Sequence, residues 1–143
     1  MTLLILSILT AITVKTAAYN NIVLKLAANN IMQAISSARF KAITEHAAVT
    51  ICPSFNRSSC TNTWHNSREI IFQKNNIEYK HIALNNIISN WKSSLNNTPA
   101  ILFLPNGKTT GEQGSILLQA AGCSTSYKIT VNRSGNIMLK SSP

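Results

Sequence analysis

The side chains able to do chemistry are few. Three cysteines, Cys52, Cys60 and Cys123, are the reactive ones. Cys52 and Cys60 stand eight apart across CPSFNRSSC, a stretch rich in turn formers. A disulfide closing so short a loop is sterically easy and suits a chain exported to an oxidising compartment. Metal binding is the rival. It calls for closer cysteine pairs or for histidines at ligand spacing, and His46, His65 and His81 stand singly. Cys123 is left over, with the character of a buried thiol. Acid–base work needs a carboxylate pair; the chain has no Asp, and Glu45, Glu69, Glu78 and Glu112 are scattered. No Ser, His and acid grouping stands out, and no glycine-rich phosphate loop. The expectation is a protein without enzymatic activity, cofactor or small-molecule substrate. His46 reads better as a helix cap than as a catalyst.

What the chain has in excess is positive charge. Thirteen Lys and Arg against four acidic residues give a formal net charge of +9. That favours anionic partners: nucleic acid, lipid headgroups or an acidic protein face. Plain solubility of an Asn-rich surface accounts for the same number.

The last hairpin shows how the cations are placed. Tyr127, Ile129 and Val131 form one apolar face, and Ile137 and Leu139 another. A two-residue loop at Ser134-Gly135 would set Val131 opposite Met138 and mix the faces. A three-residue loop, Arg133-Ser134-Gly135, pairs Val131 with Ile137 and Ile129 with Leu139. It also puts Gly at the left-handed position such a hairpin needs. The outer face then carries Lys128 opposite Lys140, with Arg133 at the tip and Lys108 in a neighbouring loop. Like charges directly opposite destabilise a sheet. Either the lysines splay into solvent at little cost, or the pair serves an anionic ligand such as double-stranded DNA.

The elements that position these residues begin with Met1 to Val14, MTLLILSILTAITV, apolar almost throughout and uncharged. Helix-compatible sequence continues to about His46 without Pro or Gly. One long helix is expected. Its first half is apolar all round and its second amphipathic, with Tyr19, Ile22, Val23, Leu26, Ile35, Ala38, Ala42 and Ile43 near 3.6-residue spacing. Three fates fit the apolar start: a signal peptide, a membrane helix or a buried core helix. A signal peptide wants a basic n-region, which is missing, and Thr16-Ala17-Ala18 is a poor cleavage site. Fourteen residues reach only about 21 Å at ~1.5 Å each, against a hydrocarbon core of about 30 Å. The favoured expectation is a transmembrane helix lacking its front end.

Beyond the helix the period changes from 3.6 to 2. Strands are expected at Ala47–Cys52 (stopped by Pro53), Arg68–Lys74, Ile77–Leu84, Ala100–Leu104, Ser115–Ala120, Tyr127–Asn132 and Asn136–Lys140, with Asn85–Thr98 irregular. This gives an α+β chain. Residues 1–46 form the helix, and residues 47–143 form a β-domain of antiparallel strands, a sandwich or two small sheets.

Several stretches, in this order, carry a resemblance. Ala38-Arg39 and Ala42-Ile43 at the helix end precede Val49-Thr50, Cys52-Pro53-Ser54, Cys60, Trp64 and Ile71-Phe72. Phe103, Pro105 and Gly107 follow, then Ser134-Gly135. The whole chain resembles a type IV pilus or type II secretion minor pseudopilin of the GspH/FimT family. The resemblance implies a pilin-like fold and a single-pass bacterial inner-membrane protein with its β-domain in the periplasm. Other pilins or pseudopilins would be its partners in a fibre, and DNA capture for natural transformation or protein secretion its task. DNA-binding members carry a late Gly-Arg-x-Arg. Here Asn136, Ile137 and Met138 follow Gly135, so DNA binding would rest on Lys128, Arg133, Lys140 and Lys108.

Overall fold

The computed structural model describes residues 2–93, 98–110 and 113–143, with side chains from Ala18 onward. Helix α1 runs Thr2–Thr44, followed by β1 (Val49–Ser54), β2 (Glu69–Lys74), β3 (Ile77–Ala83), β4 (Ile87–Ser93), β5 (Ile101–Phe103), β6 (Gly114–Ala120), β7 (Ser126–Val131) and β8 (Ile137–Ser142). Two antiparallel four-stranded sheets result, in the orders β3-β2-β1-β5 and β4-β6-β7-β8. The α+β expectation holds. Among the described residues no helix is long and apolar enough to cross a membrane.

The helix ends where its capping chemistry says it should. His46 adopts φ 49°. The Ala47 N–H donates to Ala42 O and the His46 N–H to Ile43 O. These are the two bonds of a Schellman cap, with His46 in the left-handed position. Packing selects the helix face. Leu24, Ala28, Ile31, Ala34, Ile35, Ala38 and Ala42 are buried, and α1 packs across β1 and β5 of the first sheet and β6, β7 and β8 of the second. Here the expectation is corrected in its first half. Tyr19, Ile22, Val23 and Leu26 lie on the exposed side, as does Ile43 in part. Nine residues separate Leu26 from Ile35, and at about 100° each they come round to the opposite face. Alanines dominate the true seam because a small side chain lets the sheets approach the helix closely.

Ile51, Ile70, Phe72 and Phe103 of the first sheet join Ile116, Leu118, Ile129 and Val131 of the second in one core with the helix seam. Fully burying an aliphatic side chain contributes ~1.5–3 kcal/mol, so this shared core is the main stabilising term. Two further expectations are corrected. Strand β1 runs on through Pro53, paired with Ile70. Its other neighbour, β5, ends opposite Ile51, and proline is tolerated where a strand has a free side. The segment 85–98, expected to be irregular, contains β4, paired along its whole length with β6. Its inward residue Ser89 breaks the apolar alternation. The Ser89 hydroxyl is buried but satisfied, 3.2 Å from Ser67 Oγ and 3.2 Å from Trp64 O.

Candidate functional site

The hairpin β7–β8 builds the site. Val131 pairs with Ile137, Ile129 with Leu139 and Lys128 with Lys140. The Asn132 N–H donates to Asn136 O and the Gly135 N–H to Asn132 O, closing a three-residue loop with Gly135 at φ 82°. This is the register that the buried face requires. Ile129 and Val131 are buried, while Lys128, Lys140 and Arg133 are exposed.

The structure brings the expected cations together in two groups. Lys128 and Lys140 are directly opposite on the outer face of the second sheet. At the hairpin tip, Lys108 and Arg133 line one shallow cleft, because the Thr109 N–H donates to Arg133 O at 3.2 Å. Arg133 lies five residues beyond Lys128, about 17 Å along an extended strand, so the two groups are separate contact points on one surface. A further cation belongs with them. Lys92 of β4 pairs with Ser115, which pairs with Thr130, so Lys92 shares the outer face with Lys128, roughly 12 Å away across two strand spacings. It was missed because β4 was.

The described carboxylates are elsewhere, and Glu112 lies outside the described residues. Glu45 is held by Lys41 and Lys74, Glu69 by Arg57 at 3.0 Å, and Glu78 by His81 at 3.1 Å. Hydrogen bonds from Lys41 and then Lys74 hold the Glu45 carboxyl below its ordinary pKa. Burial, with the nearby Glu45 charge, pushes the Tyr79 phenol up to about 12. None of the described carboxylate side chains lies on the outer face of the second sheet. Among the described residues no carboxylate holds the lysines there, and the face can offer them to an external anion.

The cysteines and one arginine complete the description. Cys52 and Cys60 form a disulfide, and Cys123 is a half-buried thiol. Among the described residues no three His, Cys, Asp or Glu side chains come close enough to hold a metal ion. Arg39 reaches from α1 to both sheets, donating through Nε to Gly107 O at 2.9 Å and through Nη2 to Ser134 O at 3.2 Å. A Cβ on Gly135 would stand 2.0 Å from Gly107 O. Arg39, Gly107 and Ser134-Gly135, far apart in sequence, are thus one junction.

A model for the type II transport protein GspH matches residues 27–135 of the chain. The chain belongs to the GspH family. Its fold is similar to that of the type IV minor pilin FimU of Pseudomonas aeruginosa, 13% identical, with a TM-score of 0.62 over 81% of this chain and 91% of that one. It is also similar to the minor pseudopilin EpsH from the type 2 secretion system of Vibrio cholerae, 13% identical, with a TM-score of 0.58 over 81% and 94% of the two chains. At such identity the likeness is one of fold. No curated protein sequence matches the chain. The chain is thus a GspH-family protein with a pilin-like fold. The Arg39 junction gives a physical reason for the order of its motifs, since the helix-end Arg, the turn glycine and the late Ser-Gly meet in space.

Proposed function

We propose that this GspH-family protein is a minor component of a type IV pilus. In this reading, the apolar start of α1 sits in the inner membrane and among the helices of other pilins, and the β-domain stands in the periplasm. The outer face of the second sheet makes sequence-neutral contacts to double-stranded DNA for natural transformation. The observation that carries the DNA contact is that face itself. Lys128 and Lys140 stand opposite each other with Lys92 alongside, and no described carboxylate shares the surface. Opposed like charges cost a sheet a few tenths of a kcal/mol or more, and a phosphate placed between them removes that cost. Lys108 and Arg133 at the tip extend the track.

The test is DNA retardation and fluorescence anisotropy with the full chain across a salt series. Each phosphate contact contributes about −0.9 to the slope of log affinity against log salt, so three or four contacts give roughly −3 to −4. Lys128→Ala flattens that slope by about one unit and weakens all sequences alike, while stability is unchanged or slightly raised. Absence of retardation at low salt refutes the DNA contact. A second reading then takes its place, a type II secretion pseudopilin whose basic face meets exported proteins. The match to the type II transport family favours it.

A further inference from the structure

We propose that the cleft where α1 enters the β-domain is a binding site for a neutral saccharide. The cleft has a volume of about 710 Å³, within the ~300–1,000 Å³ of small-molecule sites. Its walls come from four separate parts of the chain. Tyr19 and Asn20 belong to α1, Asn66 to the loop before β2, Asn85 and Asn86 to the β3–β4 turn, and Ala120 to the end of β6.

The chemistry of this lining is selective. Among the described residues no Lys, Arg, Asp or Glu lines the cleft, in a chain of net charge +9, so an ionic ligand finds no counter-charge among them. Val23, Leu24, Ile87 and Ile88 also line the cleft, so it has an apolar part, but a purely apolar ligand would strip water from the four amides beside it and give nothing back. Each asparagine offers two N–H donors and an oxygen acceptor. Among the described residues, none of these four side chains makes a hydrogen bond to the protein. Turn geometry accounts for Asn66 and Asn86, whose φ values are 63° and 57°, a conformation that favours Asn. It does not account for Asn20, inside a helix that Asn disfavours, or for Asn85. A sugar answers both halves of the lining. Its vicinal hydroxyls alternate donor and acceptor toward the amides, and its C–H face lies against an aromatic ring. Tyr19, 68% exposed, supplies that ring at the mouth.

The experiment uses the full chain in a zwitterionic detergent, so that no detergent sugar competes. Cellotriose and chitotriose are the probes, read on the side-chain amide resonances of Asn20, Asn66, Asn85 and Asn86. Saturable shifts at these amides are expected with at least one probe, with an affinity that salt does not change, unlike that of a phosphate contact. Asn85→Ala and Tyr19→Ala, both at exposed positions, each weaken binding about tenfold without moving the melting temperature. Lys128→Ala leaves sugar binding intact. Neither probe shifting the four amides overturns the proposal, as does undiminished binding by the two folded variants.

Discussion

Replacing Gly135 with Ala puts the junction between α1 and the two sheets to a quantitative test. Gly135 has φ 82°, and an L-residue held there costs ~1–2 kcal/mol. The added methyl would stand 2.0 Å from Gly107 O and 2.8 Å from Arg39 Nε. The first neighbour is backbone, so a loop has to shift, and such overpacking costs ~1–3 kcal/mol. That shift draws carbonyls away from Arg39, and a hydrogen bond to a charged group is worth ~1.5–3 kcal/mol. With partial relaxation the expected loss is about 4 kcal/mol, a large share of the ~5–15 kcal/mol of a typical domain. Gly122 is the internal control. It has φ 75°, but a methyl there would meet nothing closer than Asn20 Nδ2 at 3.6 Å, so Gly122→Ala should cost only the ~1–2 kcal/mol conformational part. The assay is urea denaturation of the full chain followed by circular dichroism. Arg39→Met tests the mechanism. Combined with Gly135→Ala it should cost less than the two changes separately, because the shifted loop has already lost the Arg39 bonds. Equal losses at Gly135 and Gly122, or strict additivity with Arg39→Met, would refute the reasoning.

Other substitutions probe the core and the titrating groups. Ala42→Asp places an unpaired carboxylate at a fully buried seam position and should destabilise by several kcal/mol; an unchanged melting temperature would mean that α1 packs through another face. Tyr79, with its pKa raised to about 12 from 10.0, keeps its proton in the folded state after the unfolded chain has lost it. Stability should therefore fall between pH 10 and 12 relative to the Tyr79→Phe variant, a difference that parallel melts at each pH would read. The depressed Glu45 pKa works in the other direction, contributing stability above the ordinary carboxylate range that is lost as pH falls through the folded value; melts in acid of the parent and Glu45→Gln compare it. Peptide mapping without reductant should find Cys52 bridged to Cys60 with Cys123 free, and Cys60→Ser should cost about 2–3 kcal/mol for so short a loop.

Most of the fold could be read from the sequence because its signals are local. The Schellman end of α1 and the three-residue loop of β7–β8 depend on residues within a few positions of one another. The failures depend on tertiary context, that at Pro53 on where β5 ends. Which side of α1 is buried was misjudged because large apolar residues such as Tyr19 and Leu26 weigh more in a periodicity than Ala28 or Ala34. Only the approaching sheets show that the small residues form the seam. Strand β4 was missed because Ser89 points inward, and its partner Ser67 lies 22 positions away. The site followed the same pattern. The Lys128–Lys140 opposition followed from hairpin register alone. Lys92 needed β4 and the strand order to place it, and the convergence of Arg39 with Gly107 and Ser134 joins positions 68 and 95 residues apart.

The Arg39 junction also decides how the domain bears a mechanical load. A pull on α1 along its axis enters the first sheet through the covalent chain, by way of the His46 cap into β1. The second sheet receives that force through crossover loops and through whatever side chains bind it to the helix. Beyond the apolar seam, which slides easily under shear, the polar latch is the guanidinium of Arg39 on Ser134 O, with a parallel hold on Gly107 O in the first sheet's terminal turn. Two bonds from one rigid planar group are stretched together and do not peel one after the other. The missing side chain of Gly135 sets the length of that latch, so under tension the smallest residue in the hairpin governs whether the two sheets travel as one body.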